Sequence, residues 1–167
     1  MTYIDYEYYK TLYDDKAIPE ADFKRLSWDA CRKVDVMTSG VDNVKKLKVA
    51  FPTDEDDAEA VKRCVCKLID TMSQIENAVD TINQGRGYIE TANGLQGRVV
   101  SSVSAGNESV SYSAGGKNET IIDKALADKS VQEKLYRDIV TECLSGVADA
   151  NGVNLLYMGR YPYRVEN

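Results

Sequence analysis

The most regular hydrophobic pattern in the chain runs from residue 54 to residue 84. Apolar residues recur there at alternating spacings of three and four, with no proline or glycine among them: Ala58, Val61, Val65, Leu68, Met72, Ile75, Val79 and Ile82. This spacing predicts one long amphipathic helix, with Thr53 as its N-terminal cap. We expect the helix to form the spine of a helical bundle. A coiled-coil strand is the alternative, but the pattern spans only about four heptads, which favours the bundle.

Further helices are predicted on both sides of this segment. Pro19 opens one of them, and Ser39-Gly40 ends it. The capping-box pattern Ser130-Val131-Gln132-Glu133 begins another, which Gly146 ends. The inner faces of these two helices carry apolar residues at helical spacing: Phe23, Leu26, Ala30, Val34 and Met37 in the first, and Val131, Leu135, Ile139, Val140 and Leu144 in the second.

The hydrophobic period changes to two over residues 98–113. Alternation around Gly106-Asn107 predicts a β-hairpin with one apolar face, formed by Val99, Val103, Val110 and Tyr112. An isolated hairpin is only marginally stable in water, so it must either pack on the helices or add to strands of another copy of the chain, and its open edges favour the second. The predicted fold is therefore mainly α: a helical bundle around one long central helix (54–84) with an inserted β-hairpin (98–113). Residues 1–152 form a single domain, and residues 153–167 form a C-terminal tail.

Composition limits the chemistry that the chain can perform. A chain of 167 residues can bury a full core, and its formal net charge of −6 opposes nonspecific binding to DNA or to anionic membranes. Neither a signal peptide nor a membrane-spanning run is evident, so no membrane partner is expected.

The chain has no histidine, the commonest general base and metal ligand. The four cysteines are expected to be reduced and mostly buried. We expect no catalytic residue, cofactor or metal. The alternative is an enzyme that uses Asp and Glu side chains, with or without a divalent metal, for which the long helix offers Asp54, Glu55, Asp56, Asp57 and Glu59.

Three segments are candidates for contacts with partners. The N-terminal interface candidates are Tyr6, Tyr9, Tyr13 and Trp28, which either pack on the bundle or face a partner. Trp28 falls off the inner face of the helix that follows Pro19. Lys45, Lys46 and Lys48 form a possible nucleic-acid patch, although on an acidic protein a solvated face is the favoured interpretation.

The tail after the last helix is apolar and aromatic, yet it contains Gly159 and Pro162. Five of its residues are predicted to dock on a neighbouring protein: Leu155, Leu156, Tyr157, Tyr161 and Tyr163. On this hypothesis truncation after Gly152 abolishes assembly and leaves the free chain nearly as stable. If the tail instead caps its own core, truncation lowers the melting temperature.

Short motifs spread along nearly the whole chain resemble one known family, the small head–tail connector proteins of tailed phages and prophages of Gram-positive bacteria. They are Asp5-Tyr6-Glu7-Tyr8-Tyr9-Lys10, Ile18-Pro19-Glu20 with Phe23 and Leu26, Ala30 with Val34-Asp35 and Thr38, Ala60-Val61-Lys62 with Cys66, Ser109-Val110-Ser111-Tyr112, and Leu155-Leu156-Tyr157 with Gly159. One departure is Met158, at a place where the family favours arginine.

The resemblance implies a helical adaptor in a ring, dodecameric in the virion, beneath the portal protein. The ring would seal the filled head and extend the DNA channel toward a downstream tail or stopper protein, and DNA would pass without specific binding. The protein would lie at the head–tail interface of the virion, and in the host cytoplasm during assembly. The alternative function is a cytoplasmic helical protein-binding module without catalytic activity.

Overall fold

The computed structural model of the chain describes residues 2–83, 88–91, 94–104, 109–114 and 120–163, and it describes side chains for residues 2–80 and 120–163. The described part is mainly helical, which confirms the predicted class. Its helices are α1 (Tyr6–Tyr13), α2 (Glu20–Thr38), α3 (Lys46–Val49), α4 (Glu55–Asn83), α5 (Ile121–Ala127) and α6 (Lys129–Cys143). A 3-10 turn (Asp14–Lys16) follows α1, and the strands are β1 (Tyr88–Thr91), β2 (Gly94–Ser104) and β3 (Ser109–Ala114).

The start of α4 is fixed by Asp54 and not by the predicted cap Thr53. The Asp54 Oδ1 atom accepts hydrogen bonds from the backbone N–H groups of Asp56 at 3.0 Å and Asp57 at 3.1 Å. One carboxylate therefore satisfies two of the N–H groups that a helix leaves without partners in its first turn, and it also opposes the helix dipole.

The chain divides into two compact units, and the division falls inside α4, after Thr71. The first unit is Met1–Thr71 with Tyr136–Asn167, so it includes the C-terminal tail. Its core is apolar and comes from α2, α4, the end of α6 and the tail, with Leu26, Val34, Val61, Val65, Leu68, Ile69, Val140, Leu144 and Leu155 each at most 2% exposed. Because a unit boundary cuts α4, the idea of one central spine stays a proposal.

The second unit, Met72–Leu135, contains the three strands. They form an antiparallel sheet in the order β1-β2-β3. Val103 pairs with Val110, and a register shift between Val100 and Ser102 then places Val100 opposite Tyr112. The proposed turn at residues 105–108 lies outside the described residues, as do the side chains of the hairpin candidates Val99, Val103, Val110 and Tyr112.

Candidate interaction surfaces

The N-terminal tyrosines pack inside the first unit. Tyr9 is fully buried, and its ring lies 4.7 Å from that of Tyr13 and 5.2 Å from that of Phe23, measured between centroids. The Tyr6 hydroxyl donates to the backbone carbonyl of Ile18 at 3.0 Å. Tyr9 is therefore a core residue in this structure, and the half-buried Tyr6 and Tyr13 pack at the edge of that core.

Trp28, the fourth N-terminal candidate, is different because 52% of its surface is exposed. It lines a cavity of about 290 Å³ that we call the basic pocket, formed by Trp28, Cys31, Arg32, Asp35, Lys45 and Lys48. The Arg32 guanidinium lies over the Trp28 ring, 5.4 Å from its centroid. The sequence placed Trp28 off the inner face of α2, but only the fold brings Lys45 and Lys48 beside it.

Asp35 forms the floor of the basic pocket. Its carboxylate is buried and accepts a hydrogen bond from the Tyr3 hydroxyl. The same carboxylate forms an ion pair with Lys48 Nζ at 3.2 Å. Burial and this carboxylate raise the pKa of Tyr3 far above its ordinary value, so Tyr3 stays a hydrogen-bond donor. Lys48 is thereby held at the rim with its side chain 45% exposed.

Lys46, predicted with Lys45 and Lys48 as part of a solvated face, is fully buried. Its ammonium group donates to the backbone carbonyls of Leu155 at 2.9 Å, Asn154 at 3.3 Å and Tyr157. Burial lowers its pKa. A buried ammonium group needs several hydrogen-bond acceptors to offset its lost hydration, and these three backbone carbonyls of the tail supply them. Lys46 therefore anchors the tail and is not available to nucleic acid.

A second anchor holds the end of the tail. Tyr161 is buried, its hydroxyl donates to Asp149 Oδ2 at 2.6 Å, and its backbone N–H donates to Asp42 Oδ2 at 2.7 Å. The latter bond lowers the pKa of Asp42. A Cβ atom on Gly40 would overlap the carbonyl oxygen of Gly159, so the two backbones approach as closely as glycine allows.

These anchors revise the predicted docking residues. Leu155 and Tyr161 lie in the core of their own unit, and Leu156 is half-buried, because Lys46 and Asp42 bind the tail backbone around them. Tyr157 and Tyr163 remain half-exposed.

The anchored tail presents an exposed apolar surface. We call it the tail patch, formed by Val41, Tyr157 and Met158, which are 78%, 50% and 47% exposed. Val41 and Met158 are adjacent because the Val41 N–H donates to the Met158 carbonyl at 3.1 Å. A cleft of about 230 Å³ adjoins the patch, lined by Met37, Arg137, Val140, Thr141, Leu156 and Met158.

Three of the five acidic residues proposed for catalysis have structural roles, and the first of them, Asp54, caps α4. Asp57 Oδ2 accepts from the Ala148 N–H at 3.0 Å, and Glu59 accepts from both Tyr8 and Arg63 at 2.8 Å. Among the described residues, no three His, Cys, Asp or Glu side chains are grouped as a metal ion requires. None of the helices in the described part is long and apolar enough to cross a bilayer.

The four cysteines are free thiols, and two of them interact. Cys64 on α4 is buried, Cys143 at the end of α6 is half-buried, and the ion pair between Lys67 and Glu142 at 3.0 Å ties the same two helices together. A hydrogen bond from the Cys64 thiol lowers the pKa of Cys143 to about 7.

We expect iodoacetamide at pH 7 to modify Cys143 before the other three cysteines. The thiolate is the nucleophile, and burial raises the pKa of Cys31 and raises that of Cys66 to about 12. Peptide mass mapping over time measures the order. In a Cys64→Ala variant the reaction of Cys143 should slow, because the hydrogen bond to its thiolate is lost. Faster modification of Cys31 or Cys66 in the native chain would contradict this assignment.

Comparison with known proteins returns no relative. No protein-family model matches the chain, and no curated protein or solved structure matches it either.

Proposed function

We propose that this chain is a structural adaptor of a phage head–tail connector. Copies of it would form a ring, dodecameric in the virion, beneath the portal protein, where the ring seals the filled head and extends the DNA channel toward a downstream tail or stopper protein. The chain would act at the head–tail interface of the virion, without catalysis or a cofactor.

The observation that carries this proposal is the tail patch. Exposed Tyr157 and Met158 lie on a tail segment that Lys46 and Asp42 hold in place, and exposed Val41 is hydrogen-bonded to the Met158 carbonyl. Contiguous apolar surface of this kind is typical of protein–protein interfaces, and a rigid backbone reduces the entropy lost on binding. The patch supports an adaptor; the order of motifs that resemble the connector family supports the portal as its partner.

Two further features agree with the proposal. The net charge of −6 suits a channel wall along which DNA slides, because phosphate repels such a surface. The edge strand β3 offers backbone groups for pairing between subunits, and we assign that contact to the hairpin residues Val99, Val103, Val110 and Tyr112.

The test uses sedimentation with portal rings encoded by the same phage or prophage. We expect the native chain to co-sediment with the rings, and a Val41→Asp/Met158→Asp variant to bind at least about tenfold more weakly, because two central apolar contacts are replaced by charges. Ile121→Asp is the matched control, since Ile121 is also an exposed apolar residue, at 59%, and lies in the second unit. If the double variant and the control bind portal rings equally well, the tail patch is not part of the interface.

A further inference from the structure

We propose that the basic pocket binds the acidic first turn of α4 from a second copy of this chain. The inference rests on the proposed ring of identical subunits, and it assigns one contact within that ring: Arg32, Lys45 and Lys48 of one copy against Asp54, Glu55 and Asp56 of the next.

The pocket is built for an anionic group. Three cationic side chains surround it, and the single carboxylate in it, Asp35, is already bound to Tyr3 and Lys48. Arg32 and Lys45 have no ion-pair partner within the described residues. Arg32 is further oriented by its position over the Trp28 ring, so its guanidinium is available in a fixed direction.

Protein carboxylates fit this pocket better than nucleic acid does. A volume of about 290 Å³ accommodates one or two side chains, and it is a single concavity bounded by six residues. Nucleic-acid surfaces instead use a series of cations along the backbone path, about 6–10 phosphate contacts in a typical complex. The chain as a whole carries a net charge of −6, which repels a polyanion more strongly than it repels a short acidic segment.

The occupant is identified by charge complementarity within the chain itself. Asp54, Glu55 and Asp56 are exposed, and none of the three has an ion-pair partner in the described part of the chain. Surfaces of opposite charge that are unpaired within one copy can pair between two copies, and a head-to-tail contact of this kind is the type that closes a ring of identical subunits.

Trp28 is the only tryptophan in the chain, so its emission reports directly on the pocket. The experiment titrates a synthetic peptide of residues 52–60 into the full chain and follows Trp28 fluorescence at low salt. We expect a saturable change that an Arg32→Glu/Lys45→Glu variant loses and that a Lys10→Glu/Lys16→Glu control keeps, since both double variants change the net charge equally. A ten-nucleotide oligothymidylate is the comparison ligand. If the oligonucleotide changes the emission and the peptide does not, or if neither does, the proposal is wrong.

A charge swap tests the same contact between whole chains. Sedimentation should show weaker self-association for Arg32→Glu/Lys45→Glu and for Glu55→Lys/Asp56→Lys, and a one-to-one mixture of the two should recover it because each pocket then meets a complementary turn. Far-UV circular dichroism checks that each variant folds, and Glu55→Gln/Asp56→Asn replaces the lysine variant if α4 is disturbed. No recovery in the mixture contradicts the proposal. If the peptide binds but the portal does not, the connector function is wrong and the assignment of the basic pocket stands. If the portal binds but the peptide does not, the connector function stands and the assignment of the basic pocket is wrong.

Discussion

Truncation after Gly152 is expected to destabilise the free chain by about 5 kcal/mol or more, an amount comparable with the whole stability of a small domain. The deletion removes Leu155 and Tyr161 from the core, and it leaves the Lys46 ammonium group buried without its three carbonyl acceptors. Each large buried side chain contributes about 1.5–3 kcal/mol, and an uncompensated buried charge costs more. Urea denaturation followed by circular dichroism measures the loss.

Point variants separate the core role of the tail from its exposed role. Leu155→Ala should cost about 2–5 kcal/mol, as for other fully buried leucines. Met158→Ala, at a neighbouring residue that is 47% exposed, should cost less than about 1 kcal/mol. A truncated chain as stable as the native chain would restore the hypothesis that the tail only docks on a neighbour.

Lys46→Met should destabilise the fold by about 3 kcal/mol, whereas Lys45→Met next to it should have almost no effect. Methionine fills much of the same volume but donates no hydrogen bond, so the carbonyls of Asn154, Leu155 and Tyr157 lose their donor. Lys45 is exposed, which makes it a control of the same residue type in the same segment. Equal unfolding midpoints for the two variants would contradict the anchoring role of Lys46.

The pH dependence gives an independent check on Lys46. Because burial holds its pKa below the ordinary value, the folded chain loses this proton at a lower pH than the unfolded chain. The unfolded state therefore binds more protons between the two pKa values, and the difference in stability between native and Lys46→Met chains should grow as pH rises through that window. Below the folded-state pKa the difference should be constant.

Local pattern was enough to predict the helical class. The period of apolar residues between 54 and 84 corresponds to α4, and the proline and glycine signals near residues 19 and 40 correspond to the ends of α2. These features depend on neighbours three or four residues away, which the sequence contains directly. The N-terminal cap of α4 was predicted one residue early because Thr53 and Asp54 both suit that position. Only the hydrogen bonds from the backbone N–H groups to Asp54 distinguish them.

Long-range contacts decided what the sequence left open. A lysine between apolar residues is usually a solvated residue, and Lys46 is buried only because carbonyls more than 100 positions away in the chain accept its hydrogen bonds. The same contacts turned Leu155 from a predicted docking anchor into a core residue. The basic pocket likewise depends on α2 and the Lys45–Lys48 segment meeting in the fold, whereas the pattern alone indicated only an off-face Trp28.

The adaptor role is tested by the sedimentation coefficient of portal rings mixed with the native chain. We expect portal and chain to move together as one species whose mass corresponds to a full ring of bound copies, and we expect this species to be lost with Val41→Asp/Met158→Asp but kept with Ile121→Asp. Portal rings that sediment at the same rate with and without a molar excess of the folded chain would contradict it.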